Sequence, residues 1–311
     1  MENLDINQLE NLIGDKIFRR ETIDNSKLNR IIEKVETTNR EVLIKYGIDE
    51  DLLKEINIYE KVLNKSKAHP VPKLIVSGNF DGINILGLEW IEGIHPDFTK
   101  KNHIEKVFIA LGKWAAEWSN QIKSDQLYAS INNFGDLTNL LEKNKRNLTP
   151  ILGDSLMDLL TSCIEQSEEI INNIEKMPKT LNPGDISLHN FIIDNNEKII
   201  FIDFESCTVN PMITLVEHLG EDYGSLPNTK NNVHFALKSY LNSWNKYSAM
   251  HIEWDDFIRC QLCARVNYKI GYFNYWIKRI LENKNIEETL EWVRQGQKQL
   301  ELILKSPDFR K

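Results

Sequence analysis

The hydrophobic pattern of this 311-residue chain changes period near residue 100, and that change limits the folds open to it. Upstream, short apolar runs alternate with clusters of turn-forming residues, as strands do. Downstream, most apolar residues recur at helical spacing. Residues 18–23, 30–36 and 41–45 read as strands, parted by Asp24-Asn25-Ser26-Lys27-Leu28-Asn29 and by Thr37-Thr38-Asn39-Arg40. Residues 49–64 predict an amphipathic helix, with Leu52, Leu53, Ile56, Tyr59 and Leu63 near helical period. Two more strands follow at 74–77 and 83–88, joined by Gly78-Asn79-Phe80-Asp81-Gly82. Helices are expected over 104–123, 137–147 and 155–175, and again from about Pro211 almost to the end. The predicted fold is therefore α+β and bilobal. A small five-stranded antiparallel sheet lobe covers 1–93, and a larger, mainly helical lobe covers 94–311. The boundary falls at Glu92-Gly93-Ile94-His95-Pro96.

Charge narrows the partners. A net charge of −8 argues against a nucleic-acid or anionic-membrane surface, since both need clustered positive charge. No apolar run approaches membrane-spanning length, and the N-terminal MENLDINQLENLIGD is polar and acidic, unlike a signal peptide. The cytoplasm is the expected compartment, and the chain is expected as a monomer or homodimer. Cys163, Cys207, Cys260 and Cys263 do not make a secreted disulfide framework. Cys260 and Cys263 form a C-x2-C within a helical pattern, with no second pair at zinc spacing, and are expected in the core.

The helical half is interrupted once, and the interruption carries the chemistry. In LNPGDISLHNFIIDNNEKIIFIDFE, residues 181–205, Asp185 is followed five residues later by Asn190. A hairpin then carries the chain to Asp203: Phe191-Ile192-Ile193 and Ile199-Ile200-Phe201-Ile202 flank the turn-rich Asp194-Asn195-Asn196-Glu197-Lys198. Antiparallel pairing returns the chain beside itself, so Asn190 and Asp203 are expected close together. Phosphoryl transfer needs one carboxylate to orient the attacking hydroxyl, and a carboxylate with an amide to hold Mg²⁺ on nucleotide phosphates. Asp185 fits the first role; Asn190 and Asp203 fit the second.

The upstream half supplies matching groups. Lys45 ends the strand Val42-Leu43-Ile44-Lys45, where a lysine can reach α- and β-phosphates if a carboxylate orients it. Glu55 on the following helix is the expected partner, with Glu60 as a competitor. At the lobe junction, Leu88-Glu89-Trp90-Ile91-Glu92-Gly93 offers hinge backbone for an adenine edge, through Glu89 and Ile91. The turn at 24–29 stands where a phosphate loop would, but holds no glycine; Ser26 offers a hydroxyl and an amide instead.

Taken in this order, the residues resemble the aminoglycoside phosphotransferase/choline kinase family, which shares the protein-kinase-like fold. The resemblance runs from about Phe18 to Gly224 and includes Pro70-Val71-Pro72-Lys73 before the fourth strand. It implies ATP-dependent, Mg²⁺-assisted phosphorylation of a hydroxyl on a small-molecule acceptor. In that family Lys45 and Glu55 correspond to the lysine–glutamate pair, Asp185 to the catalytic aspartate, and Asn190 and Asp203 to the metal ligands. Two positions depart from the pattern: Pro183 stands for the usual histidine of His-Gly-Asp, and Thr214 for an aspartate.

The acceptor is less constrained. Glu205, Glu217, Glu221 and Asp222 lie between Asp203 and Thr229, with no lysine or arginine among them. Trp254 and Trp276 are among the aromatic faces that follow. Carboxylates and aromatic faces suit a cationic acceptor, such as an aminoglycoside or another amine. Two other readings stay open: a metabolic kinase for choline, an amino sugar or a sugar, and a nucleotide-binding pseudokinase.

Overall fold

The computed structural model describes residues 4–24, 29–65, 70–121, 131–220 and 229–309. The chain forms two compact units. The first comprises Met1–Val107 with Pro183–Thr208, and the second Phe108–Asn182 with Val209–Lys311. Contacts thus group the Asp185–Asp203 segment with the small sheet, whereas the linear division places it in 94–311.

In the first unit, β1 (Ile17–Asp24), β2 (Arg30–Thr37), β3 (Glu41–Gly47), β4 (Leu74–Phe80) and β5 (Ile83–Glu89) form one antiparallel sheet in the order β1-β2-β3-β5-β4. Successive side chains on a strand point to opposite faces. On β3, Val42, Ile44 and Tyr46 join Val35, Ile85 and the buried Leu9 and Ile13 of helix α1 (Ile6–Ile13) in a single core. Lys45 lies between Ile44 and Tyr46 in sequence and so belongs to the other face, which helix α2 (Glu50–Lys61) covers through β3, β4 and β5. Helix α1 was not expected from the sequence. Asp5 caps it reciprocally with Gln8, and Gly14 ends it at φ 73°.

A three-stranded sheet completes this unit: β6 (Gly93–Ile94), β8 (Phe191–Asp194) and β9 (Ile199–Phe201), in the order β6-β8-β9. Phe191 faces Phe201 across the hairpin, their rings 5.3 Å apart and meeting edge to face at 69°. Asp194 closes the turn by accepting the Asn196 and Lys198 N–H groups at 2.9 and 2.8 Å.

The second unit is mainly helical. Its elements are α4 (Phe134–Leu152), α5 (Asp154–Glu165), α6 (Ser167–Glu175), α7 (Lys230–Tyr247), α8 (Trp254–Leu281) and α9 (Ile286–Leu304), with β7 (Lys179–Asn182) paired to β10 (Thr208–Pro211). Helix α3 (Lys101–Ser119) crosses the division between units. Where one helix is expected over 155–175, the chain breaks at Gln166, whose amide turns back onto Ser162. Helix α8 packs against α4, α6 and α9 and buries residues on every side, including Cys260 and Cys263. Among the described residues, no helix is long and apolar enough to cross a membrane.

Candidate active site

The strand period aims Lys45 at α2, and the helical period brings Glu55 to the same side as Leu52, Ile56 and Tyr59. Lys45 Nζ donates to Glu55 Oε1 and Oε2 at 3.0 and 2.8 Å, and to Asp203 Oδ1 at 3.1 Å. Lys45 is 6 % exposed and Glu55 0 %. Burial works against the ammonium, but Glu55 and Asp203 outweigh it and hold the lysine pKa above its ordinary value. Glu60 does not compete for Lys45; it accepts the Ser77 hydroxyl at 2.6 Å.

The hairpin brings Asn190 to the start of the Asp203 segment: the Ile202 N–H donates to the Asn190 carbonyl at 3.0 Å. Asn190 ends a 3₁₀ turn, Leu188–Asn190, and its Nδ2 donates to the Asp185 carbonyl at 2.7 Å. That bond ties the two ends of the Asp185–Asn190 loop together while the Asp185 side chain stays exposed. Gly184 precedes it at φ 108°, and a Cβ there would meet Ser206 atoms at 2.9–3.1 Å. The loop therefore lies directly on Ser206, and glycine is required at this position. Asp203 itself has φ 64°, a left-handed conformation that costs energy for a residue with a side chain.

A hard divalent cation takes oxygen ligands. With Nδ2 committed to Asp185, Asn190 keeps Oδ1 as its acceptor. Asp203, with its side chain 35 % exposed, keeps Oδ2, which takes no hydrogen bond among the described residues. These two oxygens, on Asn190 and on the residue that follows its partner Ile202, would hold Mg²⁺ as part of a ligand set that phosphate and water would complete. Among the described residues, no group of three or more His, Cys, Asp or Glu side chains makes a metal cage of its own.

At the hinge, the Glu89 N–H is already used by the Lys73 carbonyl at 2.9 Å, and the Trp90 N–H by Glu41 at 3.2 Å. The Ile91 backbone carries no hydrogen bond among the described residues. Lys34 steadies the segment, pairing with Glu41 at 2.8 Å and Glu92 at 3.4 Å and lying 4.6 Å from the Trp90 ring centre. Ser26 lies outside the described residues, as do Glu221 and Asp222.

The other acceptor candidates are dispersed in their surroundings. Glu205 is held by Arg30 through an Nη1–Oε2 contact of 2.5 Å. Trp276 is 2 % exposed, packed among Tyr272 and Phe273 in the core of the second unit. One face of Trp254 is covered by Lys238 Nζ at 4.1 Å, and His234 meets its ring at 5.0 Å. Glu217 is half-buried, and burial pushes its carboxyl up to about 8. Arg30 is the residue that sequence reasoning missed. Its partners lie 19 and 175 positions away, so no periodicity or spacing marks it.

The departure at Thr214 is met by a neutral contact. Asn182, immediately before Pro183, donates to the Thr214 hydroxyl at 3.2 Å, and that hydroxyl donates to the Pro211 carbonyl at 2.9 Å. Both side chains are buried.

No family model and no curated protein matches the sequence. Solved structures do match in fold. A choline/ethanolamine kinase family protein from Mesorhizobium loti superimposes with a TM-score of 0.62 at 10% identity, over 94% of this chain and 90% of its own. The aminoglycoside phosphotransferase APH(2″)-IIa, solved with gentamicin, gives 0.60 at 18% identity, over 99% of both chains. The spectinomycin phosphotransferase APH(9)-Ia, solved with ADP and spectinomycin, gives 0.51 at 14% identity, over 97% of this chain and 94% of its own. The chain has the fold shared by aminoglycoside phosphotransferases and choline kinases, as its sequence led us to expect.

Proposed function

We propose that this protein is a cytoplasmic, ATP-dependent phosphotransferase that moves the γ-phosphate to a hydroxyl of a small, cationic acceptor. The observation that carries the reading is the buried Lys45–Glu55 pair closing on Asp203, with Asn190 hydrogen-bonded one residue before it. A structural ion pair has no need of a third, partly exposed carboxylate in a left-handed conformation. A nucleotide site has a use for that exposed carboxylate, as a ligand to the phosphate-bound metal.

In this reading the nucleotide is held by the small sheet lobe over 1–93, with the adenine edge on the Ile91 backbone and the Glu89 carbonyl. Lys45, kept charged by its carboxylates, contacts the phosphates. Asn190 and Asp203 would hold Mg²⁺, which when bound offsets the negative charge of the transferring group. Asp185 accepts a hydrogen bond from the acceptor hydroxyl and aims its oxygen at phosphorus. Its exposure leaves room for that partner. Most of the rate gain comes from positioning and electrostatics.

A cationic acceptor is supported by the chain's net charge of −8 and by the desolvated Glu217, whose carboxylate form an ammonium would favour. All four cysteines are free and buried, in keeping with a reducing compartment. The test is an ATP-consumption screen over aminoglycosides, choline, amino sugars and neutral sugars, with Asp185→Ala and Asp203→Ala as controls. Turnover on an amine-bearing alcohol, lost in both variants, supports the proposal. Turnover that survives Asp185→Ala, or nucleotide binding with silence across the panel, overturns it.

A further inference from the structure

Two buried cations, not one, hold residues 203–205 to the small sheet. The second is Arg30, the first residue of β2, at 4 % exposure. Its Nε donates to Asp49 Oδ2 at 3.0 Å, its Nη2 to Asp49 Oδ1, and its Nη1 to Glu205 Oε2 at 2.5 Å. Asp49 is also the N-cap of α2, accepting the Leu52 N–H at 2.9 Å. One planar fork therefore joins the start of β2, the start of α2 and the residue two beyond Asp203.

The backbone beneath this fork is fixed as well. The Ile48 N–H donates to the Asn29 carbonyl at 3.1 Å. A Cβ on Gly47 would lie 2.1 Å from that carbonyl oxygen and 3.0 Å from Arg30 Cα, so the close approach requires glycine.

Three consecutive residues are thus tethered to one support. The Asp203 carboxylate goes to Lys45, the Phe204 N–H to Glu55 Oε1 at 3.3 Å, and the Glu205 carboxylate to Arg30. A buried ion pair is weak evidence for stability, and its better-attested use is to specify geometry. Here the geometry in need of specification is Asp203 at φ 64°, which persists only when its surroundings over-determine it. We propose that Arg30, acting through Glu205, is a positioning residue that fixes the backbone at Asp203 and so directs its carboxylate toward the metal and nucleotide. The metal step rests on the phosphotransferase reading; the clamp on the backbone does not.

The experiment uses the full chain with Glu205→Gln, Arg30→Gln and the double variant. Phe204 amide exchange is measured without ligand, and ADP binding is measured by calorimetry with and without Mg²⁺. Each single variant is expected to speed Phe204 exchange about tenfold. Each should also weaken the Mg²⁺-dependent part of ADP binding about tenfold, the loss typical of removing a support behind a metal ligand. Metal-free ADP binding should stay within about twofold, which a general loss of structure would not allow. The double variant should be no worse than either single, because the two residues act as one unit. Unchanged Phe204 exchange in Glu205→Gln overturns the clamp, and that variant decides the matter even if Arg30→Gln does not fold. Losses that multiply in the double overturn it too, as does a defect in Glu205→Gln with Arg30→Gln silent, since Glu205 would then act on the metal directly. A wild-type protein that binds no ADP sinks the phosphotransferase reading instead, and the exchange measurement still judges the clamp.

Discussion

Residues 203–205 in the first unit and helix α8 in the second both carry candidate functional side chains, and their surroundings differ in kind. In the first, each candidate polar group is held by a named partner: Asp203 by Lys45, Phe204 by Glu55, Glu205 by Arg30. In the second, Trp276 is packed among Tyr272 and Phe273, and the first-turn Trp254 already has Lys238 against its face. Charges buried in register are there to fix a geometry, whereas aromatics at helical spacing are there to fill volume. The comparison teaches where an inference from residue type is safe: a carboxylate whose neighbours hold it in place is better evidence than an aromatic whose neighbours bury it.

The largest effect expected from breaking this contrast is at Asp203. Asp203→Ala should lower phosphoryl transfer at least about 10³-fold, measured as ATP-dependent product formation. The fold should survive, since Lys45 keeps Glu55 as partner. Trp276→Ala should behave in the opposite way. It should cost about 3–5 kcal/mol of stability in urea unfolding, as large aromatic truncations do. The nucleotide KM of the remaining folded protein should not change. A Trp276→Ala enzyme of normal stability and poor acceptor KM would return that residue to the acceptor site. Glu55→Gln should show both effects at once, because it leaves Lys45 buried with only Asp203. A loss of about 3 kcal/mol in urea unfolding is expected, together with weaker nucleotide binding.

How much of this was legible in sequence follows the same division. The nearness of the Asp185, Asn190 and Asp203 backbone segments was readable because a local hairpin returns Asp203 beside Asn190 and a short loop keeps Asp185 five residues before Asn190. Strand-to-helix succession placed Lys45 opposite Glu55. The five-stranded sheet was readable because alternation and turn residues agree along 17–89. Arg30 was not, since its pairing spans 175 positions and depends on the tertiary fold. Nor was the Asn182–Thr214 contact, for the same reason. Helix α1 had a local signal in Asp5, Gln8 and Gly14, but at eight residues it is short enough to depend on Leu9 and Ile13 finding the sheet. In α8, burial on every side erases the amphipathic stripe, so core and site aromatics look alike from sequence.

Glu217, in the second unit, is either a held carboxylate or a packed side chain, and pH separates the two. Its carboxyl is pushed by burial from an ordinary 4.5 up to about 8. Below pH 4.5 the folded and unfolded chains both hold the proton, and the group costs nothing. Between about 4.5 and 8 only the folded chain holds it, so stability falls as pH rises through this window and levels off above it. Glu217→Gln does not titrate, so it should match the wild type near pH 4.5 and exceed it at pH 8.5. The residue is half-buried, and solvent discounts the gain to about 1–2 kcal/mol, or about 4 °C in Tm. If Glu217 also receives the acceptor's cation, the ion favours the carboxylate and the acceptor KM of the wild type should fall as pH rises toward 8. That fall should vanish in Glu217→Gln. A stability difference with no change in the KM profile would place Glu217 with Trp276, as packing, and would leave the acceptor to be held by residues other than these.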